Sequence, residues 1–137
     1  MTTWTTDELA RIGTAEELQV SSRRPDGSER PYVTIWVVRV GDELFIRSAY
    51  GPGNPWFRRA QRSGVGRIRA GGVERDVRFA EPEPSAHPAI DDAYHAKYDR
   101  HGPRVVGTVV GDRVVETTFR LEPLDETAAS DSVNDRS

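Results

Sequence analysis

The segment from Arg47 to Gly72 concentrates positive charge in a chain that is acidic as a whole. It contains six arginines and no Asp or Glu, whereas the full chain has 22 Asp and Glu against 19 Lys and Arg. The guanidinium group is a planar donor that binds phosphate or carboxylate at two points. Glycine-rich loops that lead into a helix offer backbone N–H groups to the same kind of ligand. The segment therefore predicts a site for an anionic ligand.

The residues best placed to bind such an anion flank a Gly-Pro-Gly-Asn-Pro turn at residues 51–55. Arg47 and Ser48 precede this turn, and Arg58 and Arg59 follow it. Successive side chains of a strand point to opposite faces, so Arg47 and Ser48 can contact one ligand only where the strand end twists or bulges. The glycines of the turn permit such an irregularity. The alternative is an ordinary turn whose arginines are solvated, as most charged side chains are.

Aromatic residues near this turn are candidates to stack on a flat ligand ring. Tyr50 and Trp56 lie in a polar stretch, where core packing explains them less well than it explains Trp36 on an apolar strand. Tyr94 and Tyr98 are one helical turn apart, so their phenols are candidate substrate-binding groups. The alternative for this second pair is an amphipathic helix that packs against a barrel.

Several other kinds of chemistry are excluded or disfavoured. The chain has no cysteine, which excludes disulfides, thiolate zinc sites and cysteine nucleophiles. It has neither a Gly-x-Ser-x-Gly motif nor a Walker-type phosphate loop. Asp91, Asp92 and His95 can share a helix face, but a metal site needs more ligands than that. We therefore predict no metal site, and the sequence does not identify a catalytic residue.

Short helices are expected in three places. Thr5 and Glu8 fit a capping box, and Thr14 begins a similar pattern, so the first twenty residues are expected to form one or two helices divided by a glycine. Residues 55–62 begin with a proline, which is favourable in the first helical turn. Residues 89–98 carry apolar side chains at helical spacing.

Strands account for most of the remaining chain. Alternating patterns in residues 73–79 and 115–121 indicate half-buried strands, whereas residues 32–40 are apolar on both faces and indicate a central strand. Four hairpin turns are expected, at Pro25-Asp26-Gly27, Gly41-Asp42, Gly71-Gly72 and Gly111-Asp112. We therefore predict a mainly β protein with short helices, built as a six- to seven-stranded antiparallel barrel.

The length of 137 residues suits a single domain. We predict an N-terminal helical segment at residues 1–17, the barrel domain at residues 18–124 and a polar, disordered tail at residues 125–137. The start of the chain lacks the basic and apolar regions of a signal peptide. No stretch approaches the about 20 apolar residues that span a bilayer. We expect a cytoplasmic protein that does not contact the membrane.

Four motifs give the chain a family resemblance. They are VTIWVVRVGDELFIRSAYG, GRIRAGGVERDVRF, AYHAKY and TTFRLEP. The chain resembles the flavin-binding split-barrel superfamily, which includes pyridoxamine-phosphate-oxidase-like proteins and deazaflavin-dependent nitroreductases. More closely, it is similar to a family of small bacterial split-barrel proteins of unknown function, from about residue 9 to residue 123. The resemblance implies a split β-barrel.

The resemblance also implies a cofactor, either FMN or the deazaflavin F420. The residues that it implies as cofactor ligands are Arg47, Ser48, Tyr50, Trp56, Arg58 and Arg59. The arginines and the serine would hold the phosphate, and the two aromatic residues would flank the ring. Relatives usually place a lysine in or just after this loop, and this chain has none there. In relatives two chains pair with the cofactor at their junction, which implies a homodimer.

Two functions remain open on this basis. The first is a flavin- or deazaflavin-dependent oxidoreductase-like protein acting on a small molecule, in which the cofactor transfers hydride and the protein positions it. The second is a cofactor-free binding or accessory protein that accepts another anionic small molecule, and the missing lysine favours it. Nucleic-acid binding is disfavoured, because a basic domain is expected for that function and this chain is acidic.

Overall fold

The computed structural model describes residues 3–49 and 53–124, which fold into a curled antiparallel sheet with short helices. The strands are β1 (Leu18–Ser22), β2 (Val33–Ile35), β3 (Val38–Val40), β4 (Glu43–Arg47), β5 (Val65–Ala70), β6 (Val73–Ala80) and β7 (Thr118–Pro123). The α-helices are α1 (Thr6–Thr14), α2 (Pro55–Ser63), α3 (His87–Tyr98) and α4 (Pro103–Val106). Single 3₁₀ segments cover Pro84–Ala86, Asp99–His101 and Asp112–Thr117. The strand order is β2-β1-β5-β6-β7-β4-β3, and every pair is antiparallel.

A very short link between the two edge strands forces this sheet to close on itself. β2 and β3 lie at opposite edges of the seven-stranded sheet, yet only Trp36 and Val37 separate them in the chain. Three residue steps span at most about 11 Å. A flat sheet of this size would hold its edges about 29 Å apart. The sheet therefore curls into a barrel that is open between β2 and β3, which confirms the predicted antiparallel split barrel.

The apolar side chains form two clusters on opposite faces of the sheet. The first fills the barrel and draws on the same face of β1, β4, β5, β6 and β7, with Phe57 of α2 packed into it. The second lies on the outer face, where Ile90, Tyr94 and Tyr98 of α3 cover Val38 and Phe45. Helix α3 therefore buries a sheet face that would otherwise face water.

Tyr98 fastens the link between the two edge strands. Its hydroxyl oxygen lies 3.0 Å from the carbonyl oxygen of Val37 and 2.8 Å from that of Glu16, and it accepts the N–H of Val37 at 3.2 Å. Lys97 Nζ donates to the same Val37 carbonyl at 2.7 Å. The Trp36 ring stacks on Tyr98 with 4.0 Å between ring centroids and an interplanar angle of 5°. Side chains of α3 thus satisfy backbone groups that have no strand partner.

The N-terminal capping box is confirmed, but it starts a single helix. Thr5 Oγ1 accepts the N–H of Glu8 at 3.0 Å, and the Glu8 carboxylate accepts the N–H of Thr5 at 2.9 Å. Gly13 lies inside this helix and does not divide it. Trp4 and Ile12 belong to the barrel core. The boundary predicted after residue 17 stays a prediction, and the predicted tail at residues 125–137 lies outside the described residues.

The prediction that residues 32–40 form one central strand is wrong. They form β2 and β3 at the two edges of the sheet, with Trp36 and Val37 between them. This segment is apolar on both faces not because it is central but because helices cover the outside of the barrel. Val37 packs in the barrel core, whereas Val38 packs beneath α3.

The predicted hairpin at Gly111-Asp112 is also wrong. Residues 103–106 form α4, and β7 begins only at Thr118 after a 3₁₀ segment. Strand β7 already pairs with β6 on one side and with β4 on the other, so no position beside it remains for a further strand. The other three predicted turns are confirmed, because they join the paired strands β1–β2, β3–β4 and β5–β6.

Candidate functional site

Asn54 closes the loop between β4 and α2. Its Nδ2 donates to Ser48 Oγ at 2.9 Å and to the carbonyl oxygen of Ala49 at 2.7 Å. Asn54 is also the residue before Pro55, with which α2 begins. These bonds hold the end of β4 beside the first turn of α2. They therefore fix the position from which the Trp56 side chain projects from α2.

Arg47 points into the protein and is only 2% exposed. Its Nε donates to Thr118 Oγ1 at 2.9 Å, and its Nη1 donates to the Asp91 carboxylate and, at 2.8 Å, to the carbonyl oxygen of Val109. Its Nη2 lies 3.2 Å from His87 Nδ1. The guanidinium group is thus surrounded by internal partners. In this arrangement it presents no exposed edge to a ligand phosphate.

The cover provided by α3 explains the position of Arg47. Side chains of β4 alternate, so Leu44 and Ile46 enter the barrel core. Phe45 faces the other way, into the cluster beneath α3, and Arg47 follows it on that face. Ser48 is buried as well, at the closed loop. Alternation was predictable from the sequence, but the burial of this outer face was not.

The five remaining arginines of the cationic segment divide into two groups. Arg67 Nη1 lies 3.0 Å from Asp76 Oδ1, and the Arg69 guanidinium lies 3.7 Å from the centre of the Tyr32 ring. The second group is Arg58, Arg59 and Arg62. Within the described part of the chain, none of these three has a carboxylate at salt-bridge distance. Positive charge without an acidic partner is therefore concentrated on α2.

A groove of about 390 Å³ lies between β2, the end of β4, the start of α2 and the region of α4. Its apolar walls are Val33, Ile35, Trp36, Trp56, Val105 and Val109. Thr34, Asn54 and Thr108 supply uncharged polar groups, and the charged residues Glu17 and Arg47 also line it. We call this the tryptophan groove. Its size falls within the about 300–1,000 Å³ range of small-molecule sites, and its mostly apolar lining is typical of them.

A smaller hollow adjoins this groove at Trp56 and Val33. It is lined by Ser22, Arg30, Pro31, Val33, Trp56 and Arg59, and we call it the arginine hollow. Its volume of about 10 Å³ admits one water-sized group. Val33 and Trp56 line both cavities. The groove and the hollow therefore adjoin at these two residues, and we call their combined lining, mostly apolar in the groove and cationic in the hollow, the continuous surface.

Arg30 is the most confined cation of the arginine hollow. Ser21 Oγ donates to its carbonyl oxygen at 2.6 Å, which fixes this residue beside β1. Its Nε is buried and has no hydrogen-bond partner among the described residues. Desolvation and the neighbouring guanidinium groups of Arg59, Arg24 and Arg62 lower the pKa of Arg30 from its usual value. The cluster therefore has an excess of positive charge, which Asp26 offsets only in part.

The structure brings together only part of the predicted site. Trp56, Arg59 and the buried Arg47 line the two cavities, whereas Arg58 is exposed and lines neither. Tyr50 lies outside the described residues. Tyr94 and Tyr98 are both 0% exposed, and burial raises the pKa of both phenols. Their predicted contact with a substrate stays a prediction, since neither ring reaches the surface in this conformation.

Sequence reasoning missed Arg30 as a site residue. The predicted hairpin after β1 returns the chain past Ser22, and this is a signal that Arg30 lies near the end of β1. The packing of α2 against β1, which brings Arg59 to the same place, has no signal in the local sequence. His87 was missed for the same reason, because its partner Arg47 is 40 residues away in the chain.

Within residues 3–49 and 53–124, no three His, Cys, Asp or Glu side chains are grouped as a metal site requires. No helix in the same ranges is both long enough and apolar enough to cross a membrane.

Solved structures with the same split-barrel fold include a protein of unknown function, a putative pyridoxamine 5'-phosphate oxidase and an F420 reductase. Atu2129 from Agrobacterium tumefaciens, of unknown function, matches with a TM-score of 0.62 and 12% identity over 90% of this chain, and the match spans 56% of that protein. A putative pyridoxamine 5'-phosphate oxidase from Listeria innocua matches with a TM-score of 0.59 and 12% identity over 85% of this chain and 90% of that one. An F420 reductase matches with a TM-score of 0.53 and 15% identity over 85% and 93%.

At these identities the likeness shows the fold alone. The same fold occurs in proteins described as binding FAD or storing heme, and in a domain-swapped dimer. No curated protein matches the chain. The chain itself belongs to the family described as uncharacterized proteins conserved in bacteria (DUF2255), which matches residues 8–121.

Proposed function

We propose that this protein is an oxidoreductase-like split-barrel protein whose tryptophan groove and arginine hollow bind a flavin or deazaflavin nucleotide. The observation that carries the proposal is that the two cavities share Trp56 and Val33 as lining residues, so that they lie side by side. FMN and F420 each join a flat ring to an anionic tail, so they match an apolar surface that leads to a cationic one. Structures of the same fold named for F420 and for FAD support this choice.

The two indoles of the groove suit the ring of such a ligand. Trp36 is backed by Tyr98, on which it stacks at 4.0 Å. Trp56 is held by edge contacts with Phe57 and Phe119, whose ring centroids lie 6.1 Å and 6.4 Å away. Rings that are already fixed lose little conformational freedom when a ligand stacks on them. The groove is therefore preorganised to bind a planar ring.

The arginine hollow suits the anionic tail. The buried, unpartnered Nε of Arg30 is a donor that an anion would satisfy. Arg59 faces the same hollow from α2 and has no acidic partner among the described residues. The hollow admits one oxygen-sized group, so a phosphate would bind at its mouth. Hydrogen bonds from charged donors to phosphate are stronger than those between neutral groups.

The residues of the chain contribute binding and orientation. A bound flavin or deazaflavin supplies the hydride-transfer chemistry. Asn54 keeps the loop closed beside the groove, and Thr34 presents a hydroxyl from β2. Arg47 lines the groove with its buried side chain and would also orient the groove wall, since it binds the carbonyl oxygen of Val109.

One observation favours a cofactor-free alternative on the same barrel. The chain has a single lysine, Lys97, and its ammonium group is bound to Val37 at the link between the edge strands. No lysine is therefore present near the loop where related proteins usually have one. In this alternative the same continuous surface binds another anionic small molecule.

Pairing of two copies is part of the proposal. Strand β2 is an edge of the sheet, and the groove that it lines includes Val105, whose exposure is 44%. Among the described residues, Val105 is the one large apolar side chain with so much exposed surface. Light scattering of the purified protein should give twice the chain mass of 15.3 kDa, whereas the mass of one chain would contradict pairing. A cytoplasmic location also belongs to this proposal, in keeping with a chain without cysteine.

Fluorescence titrations with FMN, riboflavin and F420 test the proposed ligand. FMN should bind roughly tenfold or more tightly than riboflavin, because only FMN carries the phosphate that meets the arginine hollow. Arg59→Gln should remove most of this preference. Arg58→Gln is the matched control, since Arg58 is on the same helix and lines neither cavity, and it should leave the preference intact.

The outcomes separate the two functions. Folded protein that binds neither FMN nor F420 would contradict the first function and leave the cofactor-free alternative. Equal loss of phosphate preference in both arginine variants would show that the arginine hollow is not the anion site.

A further inference from the structure

A second cavity, separate from the proposed cofactor site, lies between α2, β6 and the start of α3. Its volume is about 350 Å³, which is within the range of small-molecule sites. Its walls include Phe57, Phe79, Pro82, His87, Thr118 and Phe119. We call it the histidine pocket. The three phenylalanines form one packed group, in which Phe119 lies 4.9 Å from Phe57 and 5.3 Å from Phe79 between ring centroids.

Arg47 determines which nitrogen of His87 carries the proton. An arginine side chain donates hydrogen bonds and cannot accept them. Because Arg47 Nη2 lies 3.2 Å from His87 Nδ1, Nδ1 must accept, and the neutral ring carries its proton on Nε2. Nε2 has no hydrogen-bond partner among the described residues. Desolvation and the charge of Arg47 lower the pKa of His87, so the ring is neutral at pH 7.

The charges around the histidine pocket select against anions. Glu81 and Glu116 line it, and among the described residues no Arg or Lys does so. Gln61 adds an uncharged amide at the same place. The pocket thus combines an aromatic wall, one N–H donor from His87 and carboxylates that accept hydrogen bonds. The charged groups of this pocket are thus opposite in sign to those of the arginine hollow.

We propose that the histidine pocket binds a neutral aromatic molecule that bears a primary carboxamide. Its carbonyl oxygen accepts the Nε2–H of His87, its N–H₂ donates to a glutamate at the pocket, and its ring packs on the phenylalanine wall. The site does not depend on the proposed cofactor site. Arg47 lies between the two, since it binds Val109 of the tryptophan groove as well as His87 and Thr118 of the histidine pocket.

Benzamide, benzoate and benzylamine are matched probes for this proposal, because they differ chiefly in charge and in hydrogen-bonding groups. Titration of ¹⁵N-labelled protein should give saturable shifts at Phe79 and Phe119 with benzamide and no saturation with benzoate. His87→Ala should weaken benzamide binding roughly 3- to 10-fold, as expected for the loss of one hydrogen bond. His95→Ala is the control, since His95 is also on α3 but pairs with Asp99 at the surface and lines no pocket described above.

Two further measurements keep the proposal testable if His87→Ala does not fold. Imidazole ¹⁵N shifts of the wild-type protein should show His87 with its proton on Nε2. Glu116→Gln should allow benzoate to bind. The proposal is overturned if benzoate binds as tightly as benzamide, if benzamide shifts only tryptophan-groove residues, or if His87 carries its proton on Nδ1. Unchanged benzamide affinity in folded His87→Ala would also overturn it.

Discussion

Arg47 illustrates how burial can change the role of a charged residue. All four of its partners lie within the protein, and the ion pair with Asp91 compensates a guanidinium group whose side chain is fully buried. A buried charge that loses its partner is strongly destabilising, because it is neither hydrated nor neutralised. Arg47 therefore contributes to the stability of the fold as well as to the shape of both cavities.

Replacing Arg47 should accordingly affect folding. Arg47→Met leaves the carbonyl oxygen of Val109 without its donor and Asp91, whose side chain is 32% exposed, without its cation, so the free energy of unfolding should fall by about 1–3 kcal/mol. Arg58→Met on exposed α2 should change it by less than about 0.5 kcal/mol. Urea denaturation measures both. Equal stability of the two variants would show that Arg47 is not held as described.

His87 should make stability depend on pH in a defined direction. Arg47 of β4, Asp91 of α3, and Glu81 and Glu116 at the pocket are the charged groups near it. Its pKa is lowered from 6.5, first by desolvation and then by Arg47, with Asp91 acting in the opposite sense. Below pH 6.5 the unfolded chain therefore binds the proton more readily, and stability falls as the pH decreases until the folded pKa is reached.

Thermal melting between pH 7.5 and pH 5 tests this direction. The loss of stability on acidification should be smaller in His87→Gln than in the wild type, because glutamine does not titrate. His95→Gln should follow the wild-type profile. A wild-type profile no steeper than that of His87→Gln would contradict the assignment of His87 as a neutral acceptor.

At the scale of elements, the contact between α1 and the β5–β6 hairpin depends on a close approach of two backbones. A Cβ atom on Gly71 would lie 2.3 Å from the carbonyl oxygen of Arg11, whereas one on Gly72 would meet nothing closer than 3.7 Å. Both glycines have positive φ, at 57° and 84°. Alanine at either position therefore carries the strain of a left-handed backbone, about 1–2 kcal/mol.

A comparison of alanine variants at Gly71 and Gly72 separates the strain of the turn from the loss of packing against α1. Gly71→Ala should destabilise the protein more than Gly72→Ala, since it also displaces α1 from the hairpin. Denaturant unfolding of the two variants measures the difference. Equal destabilisation would mean that α1 does not pack on this turn.

Elements with local signals were predictable from the sequence. The capping box of α1, the proline that begins α2 and the glycine turns of three hairpins each depend on residues a few positions apart. The predictions of a single strand at residues 32–40 and of a hairpin at Gly111 were wrong because the structure of both segments depends on partners that are distant in the sequence. The first is divided between two sheet edges, and the second is excluded by strands already paired with β7.

At the scale of the whole molecule, closure of the barrel depends on the two-residue link that Tyr98 fastens. Tyr98→Phe keeps the ring stacked on Trp36 but leaves the N–H of Val37 without an acceptor. The free energy of unfolding should fall by about 1–3 kcal/mol in urea denaturation. Tyr32→Phe is the control, because its hydroxyl makes only a long, exposed contact of 3.4 Å with Glu29. Similar effects of both changes would show that the link does not depend on the phenol.

The candidate site was predictable only in part at this scale. The cationic segment and Trp56 follow from sequence composition, and both contribute to the surface that the structure shows. Arg30 and Trp36 join it from β1–β2 and from the link between the edge strands. Their convergence requires the barrel to close and α2 to dock on β1, and neither event has a signature within any short stretch of the chain.

The indole N–H resonances of the three tryptophans test the central claim most directly. Trp36 and Trp56 line the tryptophan groove, whereas Trp4 is buried with its Nε1 donating to the carbonyl oxygen of Leu121 at 3.0 Å. Titration of ¹⁵N-labelled protein with FMN and with F420 should produce saturable shifts of Trp36 and Trp56 with at least one of them, while Trp4 stays unchanged. Unshifted Trp36 and Trp56 at saturating concentrations of both cofactors, or a shift confined to Trp4, would contradict the claim that this groove holds a flavin-type ligand.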